Sequence, residues 1–321
     1  MNKSTIFIGI DISKDVFDVY DSKTGYRQYG NTRLGIREFA KTLSNDHWCV
    51  MEATGCYHQQ LALFLYESSF RLSVVNPLVV KRFIQMKLNH VKTDKSDAKM
   101  ISHYGQEQSQ TLWCPDPPYV ESCKMIQSVT QLYFKQSTAI KNKIHALESR
   151  GHKRSKMLNS LKRTLKTLSK EIHILEEQLE VVIKENEKEL YTHIKSIPGI
   201  GKKTAILLII STNGFKGFES SKQVSSYLGL APNERTSGSS VRGKSYISKR
   251  GHPMVRNHLF MCSFTACEYN PQCKALYNRI VNKGKSKKLA LIAVCNKLIK
   301  QAYGIAKSGI EYDRNFISKS I

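Results

Sequence analysis

Between residues 158 and 182 the chain sets an apolar side chain at 158, 161, 165, 168, 172, 175, 179 and 182. Steps of three and four in alternation place all of these on one side of an α-helix and on no regular side of a strand. A stripe that long needs an apolar partner along its whole length. Gly151 and His152 break the helical pattern just before it, which predicts a turn between two long helices. The partner is then either the helix on the far side of that turn or a second copy of the chain, and an oligomer contact is expected here.

The N-terminal part follows a different rule. From 5 to about 30, short β-rich runs (TIFIGIDI, VFDVYD, YRQYG) are separated by turn residues and predict a three-stranded meander. Thr32 then caps a helical stretch carrying Leu34, Ile36, Phe39, Ala40 and Leu43. A buried strand (47–53), a helix (57–68), the strand RLSVVN and a helix from Pro77 follow. Such alternation predicts an α/β sheet covered on both faces. The expected organisation is an α/β domain over 1–115, ending near the Pro-rich CPDPP, a helical coiled-coil region over 116–190 and a mainly helical domain over 191–321.

Charge divides the chain along similar lines. Fifty Lys and Arg face 26 Asp and Glu, a net +24, which points to a polyanionic partner, foremost nucleic acid. Residues 1–60 carry seven charges of each sign, whereas 139–170 carry ten basic residues against Glu148 alone. Residues 231–309 carry fifteen against Glu234 and Glu268. No CxxC pair occurs among the eight cysteines, and Cys262, Cys267 and Cys273 lack zinc-finger spacing. Scattered thiols, no cleavable leader pattern and no apolar run of spanning length (Ala205–Ile210 is the greasiest stretch) predict a cytoplasmic protein.

Carboxylates stand out in the neutral part. Asp11 lies inside the first strand, in IGIDIS, and Glu52 ends an apolar strand, in CVMEATG. A carboxylate among β-branched residues is costly unless a cation or hydrogen bonds compensate it. Asp94 and Asp97 are three apart in VKTDKSDAK and share one face if that segment is helical. Four such groups brought together raise one another's pKa unless a divalent cation neutralises them, and oxygen-only ligation favours Mg²⁺ or Mn²⁺. Asp15 and Asp18 are expected to be solvated strand-end residues. The runs GIDISK, MEATG, NPLVVKRF and KTDKSDAK, in that order and spacing, resemble the DEDD transposases of the insertion-sequence 110 family, which includes the Piv-type DNA invertases. That resemblance implies an RNase H/RuvC-like fold for the first domain and gives Asp11, Glu52, Asp94 and Asp97 the four metal-carboxylate positions.

In the C-terminal half, IKSIPGIGKKTAILLI (194–209) has the look of a helix-hairpin-helix element. Its turn amides and helix N-terminus could hold a backbone phosphate, with Lys202 and Lys203 adding charge. Downstream, Ser237 precedes Gly238 in a loop containing Arg235, Arg242, Lys244, Lys249 and Arg250. Composition alone favours a DNA-contacting loop there. The family resemblance extends through it, by Gly229, Leu230, Pro232, Ser237, Gly238, Gly243, Ile247, Ser248, Lys249 and Gly251, and implies that Ser237 is a nucleophile. The Gly-Ser-Ser that follows departs from the family's common form, so Ser239 and Ser240 stay as rivals.

The resemblance implies a DNA transposase or recombinase with target and donor DNA as partners, a structured non-coding guide RNA, and a dimer or tetramer with composite active sites. Three rivals differ in class or outcome. They are a metal-dependent nuclease resolving branched DNA with no covalent step, a site-specific invertase, and a non-enzymatic nucleic-acid scaffold with structural carboxylates.

Overall fold

The computed structural model describes residues 5–88, 93–152, 155–233, 236–237, 241–242, 246–248 and 250–315, with Asn233, Thr236, Ser237, Val241 and Arg242 described by their backbone course only. The chain separates into two compact units, Met1–Pro115 and Asp116–Ile321.

The first unit is built on a five-stranded sheet. Its strands are β1 (Ile6–Ile12), β2 (Val16–Asp21), β3 (Gly25–Gly30), β4 (His47–Glu52) and β5 (Arg71–Val75), in the spatial order β3-β2-β1-β4-β5. β1, β2 and β3 form the antiparallel meander, whereas β4 and β5 join β1 in parallel. The parallel pairs need crossovers, which α1 (Arg33–Ala40) and α2 (Gln59–Glu67) supply. Thr32 caps α1 by accepting from the Gly35 amide. α3 (Pro77–Met86) begins on an Asn76 cap with proline in its first turn, where no amide partner is needed.

Strand alternation sorts the side chains. Ile8, Ile10 and Ile12 of β1 face α1 and α2 and pack with Phe17, Phe39, Leu61 and Leu65. Phe7 of β1 and Val50 of β4 face the other way, toward Val80 of α3 and Ile101 of α4 (Asp94–Glu107). The sheet is thus covered on both faces, and this mixed five-stranded arrangement is that of an RNase H-like domain.

α4 lies very close to β1. The Ser102 hydroxyl donates to the Phe7 carbonyl at 2.7 Å. A Cβ at Gly9 would stand 2.0 Å from the Ala98 carbonyl oxygen and 2.3 Å from the Ser102 amide. Small residues at 98, 102 and 105 make that approach possible, and the N-terminal turn of α4 is carried across the sheet with it. Gly9→Val is expected to force α4 off the strand and to cost about 3 kcal/mol, the upper part of the overpacking range. Urea denaturation measures it; a loss under about 1 kcal/mol would mean the approach is not required.

The second unit is helical. α5 (Pro118–Ser149) and α6 (Lys156–Asn186) form a hairpin, followed by α7 (Lys188–Lys195), α8 (Lys202–Thr212) and α9 (Ser221–Tyr227). After a short β-ribbon come α10 (Pro253–Tyr269), α11 (Pro271–Asn282) and α12 (Lys287–Ser308). α8 is buried on all sides, and its Ala205–Ile210 run is the middle of the core. Cys123 of α5 and Leu179 and Ile183 of α6 belong to that same core, so the root of the hairpin is built into this unit.

Along α6 every position of the apolar stripe is buried or half-buried, and α5 of the same chain covers it. The buried positions of α5 recur at the same interval: Cys123, Thr130, Ser137 and Ile144. The stripe is therefore occupied within the chain. Charged residues at Leu165, Ile172 and Leu179 are expected to open the hairpin and remove several kcal/mol of stability, because each buries an unpaired charge. Loss of helical circular dichroism would accompany it. Normal melting with a halved mass by light scattering would instead assign the stripe to self-association.

α12 is the one described helix long and apolar enough to cross a membrane by length and composition, a longer candidate than 205–210. Val294, Cys295, Leu298, Ile299 and Ala302 are buried in the helical core, which is what a central helix of a folded unit needs.

Candidate functional site

The sheet alternation that buries Phe7 and Val50 beneath α3 and α4 puts Asp11 and Glu52 on the same face, at the C-terminal ends of their strands. α4 begins over those ends. Its Thr93 cap accepts from the Ser96 amide, and Asp94 and Asp97 both lie in its first turn, where the helix dipole favours negative charge. The four sequence-predicted carboxylates therefore meet electrostatically at one end of the sheet. Asp11 is pushed from an ordinary 3.8 to about 6, by burial first and then by the charges of Asp97, Glu52, Asp94 and Asp18. Glu52 is raised as well, by burial and then by Asp97. Among the described residues, no three carboxylate, imidazole or thiol groups are drawn close enough together to enclose a metal ion. The donor set nonetheless fits a hard divalent cation, since it is all oxygen and its like charges oppose the ionisation of Asp11.

Asp18 belongs to this face and corrects the expectation that it is solvated. It is 3% exposed and sits directly opposite Asp11 in the β1–β2 register. Its Oδ1 accepts from the Tyr26 hydroxyl at 2.5 Å and from Gln28 Nε2 at 3.0 Å. Those bonds orient its carboxylate, and the bond to Asp18 pushes the Tyr26 phenol up to about 12. Lys95 and Lys99 of α4 stand over the Tyr26 and Tyr20 rings at 5.6 and 5.8 Å. Asp15 is exposed, as expected.

In the helical unit, the Pro-Gly-Ile-Gly turn lies between α7 and α8. Gly199 there has φ +106°, and a Cβ would meet the Ala266 side chain of α10 at 2.7 Å. Lys202 and Lys203 are not free at the mouth of the turn. They pair with Glu180 (3.2 Å) and Glu176 (2.6 Å) of α6. Glu180, which also bonds Lys184 and Tyr191, is held down at about 2, chiefly by Lys184.

The serine segment forms a narrow ribbon. β6 (Pro232–Asn233) pairs with β9 (Tyr246–Ile247), and beyond it β7 (Thr236–Ser237) pairs with β8 (Val241–Arg242). Ser237 pairs with Val241 in the last described rung. Arg235, Lys244, Lys249, Ser239 and Ser240 lie outside the described residues; Arg250 is exposed at the ribbon's end. The root is tightly built. A Cβ at Gly229 would lie 2.1 Å from the Arg250 carbonyl oxygen, and one at Gly251 the same distance from that of Tyr227. Arg256 Nη1 donates to the Leu228 carbonyl at 3.1 Å. His252 lies beside Tyr227, its Nε2 3.2 Å from the phenol oxygen. Burial, then the positive charges of Lys124 and Arg256, lower its pKa, so it stays neutral. Sequence reading gives His252 no role and Asp18 a solvated one, although Asp18 carries a signal there: a carboxylate within a β-rich run.

Comparison with known proteins adds the family. Residues 8–152 match the DEDD transposase model of the IS110 type, and 191–278 match that of the "Transposase IS116/IS110/IS902 family". The "Pilin gene-inverting protein" of Moraxella bovis is 26% identical over 97% of this chain and 98% of its own length. The "Transposase for insertion sequence element IS1111A" of Coxiella burnetii is 25% identical over 92% of this chain and 84% of its own. That for IS1328 of Yersinia enterocolitica is 25% identical over 96% and 98%. With one profile on the carboxylate domain, the other on the serine-bearing unit and relatives aligned almost end to end, the chain belongs to the IS110 family of DEDD transposases, which are enzymes acting on DNA.

Proposed function

We propose that the protein is a site-specific DNA recombinase that cuts and rejoins strands with a Mg²⁺-binding carboxylate site and a serine nucleophile. The observation that carries this reading is the electrostatic meeting of Asp11, Glu52, Asp94 and Asp97 at the strand ends, with Asp11 raised to about 6. Asp11, Glu52, Asp94 and Asp97 would hold Mg²⁺ or Mn²⁺, with Asp18 anchored behind Asp11. A divalent cation bound there neutralises charge on the scissile phosphate and favours the ionised attacking oxygen.

The residues of the chain do the rest. Ser237 Oγ attacks phosphorus, the bond to a deoxyribose oxygen breaks, and that oxygen leaves as a hydroxyl with the serine proton. The phosphoserine link then passes to the hydroxyl of another DNA end, restoring the serine, so no bond energy is lost to water. Arg235, Arg242, Lys244, Lys249 and Arg250 offset the negative charge gained in each step. The 1–115 domain supplies the carboxylates and the 191–321 domain the serine, which the reading assigns to different protomers of a dimer or tetramer. The α5–α6 coiled-coil hairpin extends from the serine-bearing domain. The helix-hairpin-helix turn contributes backbone amides to a phosphate once Lys202 and Lys203 exchange their glutamates. A structured non-coding RNA that selects the DNA suits the ten basic residues of 139–170. The eight free cysteines suit a reducing cytoplasm.

DNA inversion is the second reading, favoured by the end-to-end match to the pilin gene-inverting protein. A plasmid carrying the gene's flanking DNA tests both: excision or insertion products support transposition, an inverted segment supports inversion, and linear cuts without rejoining support the nuclease.

A further inference from the structure

Three open cavities run end to end along one side of α12. The first, about 470 Å³, lies where the serine ribbon meets the helix, between Pro232, Tyr246 and Ile247 on one wall and Lys288, Leu289 and Asn296 on the other. The second, about 620 Å³, shares Ala293 and Asn296 with it and has α11 as its far wall, through Leu276 and Arg279. The third, about 520 Å³, shares Lys297 and Lys300 with the second and ends at Glu311 and Asp313. Together they make one trough, open to solvent, that starts at the root of the serine ribbon.

The chemistry of the trough is divided. Its floor is uncharged, with Ala293 and Leu276. Its edges carry Arg279, Lys288, Lys297 and Lys300, and none of these has a carboxylate partner among the described residues. Contrast Lys202 and Lys203, which do. Asn296 stands where the first two cavities join. Its Oδ1 accepts from the Ser225 hydroxyl at 2.6 Å, which fixes the amide and leaves Nδ2 as a donor with no acceptor among the described residues. From Lys288 to Lys300 the helix rises roughly 18 Å. The acidic end at Glu311 and Asp313 marks where a polyanion must leave.

We infer that this trough seats the sugar–phosphate backbone of the DNA strand that runs up to the serine ribbon, sugars over the neutral floor and phosphates between the α11 and α12 cations. The inference rests on the proposed function for one step, that DNA is what approaches the ribbon. A second copy of the chain would bury the same four cations unpaired, which disfavours it. Guide RNA would offer the same phosphates, and continuity with the ribbon selects DNA.

The test is salt-dependent binding by the full-length protein of a fluorescein-labelled random-sequence DNA duplex and, separately, of a labelled structured RNA. Lys297→Gln/Lys300→Gln on α12 and Arg279→Gln on α11 are compared with wild type, with matching melting curves as the folding control. The double variant is expected to bind DNA about tenfold more weakly at 0.15 M salt, with its log–log salt slope reduced by about two, and Arg279→Gln to lose about one. RNA slopes should not change. An unchanged DNA slope in both variants overturns the trough while leaving recombination intact. A changed RNA slope with an unchanged DNA slope assigns the trough to RNA and overturns it too, as does dissociation of an oligomer with DNA binding unaltered. Wild-type protein that binds no DNA at all would sink the recombinase reading and this inference together.

Discussion

Asp11→Asn is expected to cut DNA cleavage severely and, in the same protein, to raise the stability of the metal-free form at neutral pH. Both effects come from one carboxylate. In the folded chain Asp11 ionises near 6 rather than 3.8, because burial and its acidic neighbours oppose the charge. Between those pH values the folded state holds a proton that the unfolded state has released, so stability falls as pH rises from about 4 to about 6 and stays lower above. The shift is worth roughly 3 kcal/mol at 1.36 kcal/mol per pH unit. Asp11 keeps some solvent contact, which discounts this to roughly 1–2 kcal/mol. Asparagine removes the cost, so with chelator present the variant should melt a few degrees higher at pH 7.5 and show no gain at pH 4.

Mg²⁺ separates the two states further. Bound to the folded form alone at a hundred times its Kd, it adds about 2.7 kcal/mol to the wild type and much less to the variant, and the gain shrinks as pH drops below about 6. Cleavage should fall by about a thousandfold, the upper range for one lost electrostatic stabiliser. A variant that melts no higher than wild type in chelator would mean that Asp11 is not strained by its neighbours. Full cleavage by it would remove Asp11 from the site.

Much of this site could be read from the chain because strands and caps announce themselves locally. Asp11 and Glu52 each end or interrupt a run of β-branched and apolar residues, and Thr93 precedes the Asp94/Asp97 pair as a helix cap should. Asp18 carried the same signature as Asp11, within VFDVYD, yet its burial depends on Tyr26 and Gln28 of the next strand, which no local pattern reveals. The hairpin shows the opposite failure. The α6 stripe is legible because it is Leu- and Ile-rich, whereas its partner face on α5 is Cys123, Thr130, Ser137 and Ile144, too polar to stand out. A stripe with no visible partner in sequence invites a second chain, whereas α5 of the same chain covers it. Lys202 and Lys203 hide a similar dependence: the glutamates they pair with lie on α6, more than 20 residues away. Contacts distant in sequence are where reading from residues alone runs out.

Ser237→Ala is expected to remove every trace of a covalent protein–DNA product while leaving DNA binding within about twofold of wild type. If the hydroxyl is the attacking group, wild-type protein with Mg²⁺ and cleavable DNA should yield a slow-migrating species on denaturing gels, destroyed by protease and absent in chelator. Alanine keeps the strand pairing of Ser237 with Val241, which is backbone only, so the ribbon retains its course and the loss is chemical. The root supports this. Gly229, Gly251 and the Arg256 bond to Leu228 fix the ribbon independently of its tip. Ser239→Ala and Ser240→Ala serve as rivals rather than controls. Loss of the adduct in one of them, with Ser237→Ala still active, would move the nucleophile along the tip and preserve the mechanism. Normal recombination by all three variants would end the covalent-serine reading, because no other hydroxyl of the tip stands in the family's position. The carboxylates would then have to activate water, and the broken strand would have no stored bond from which to be rejoined.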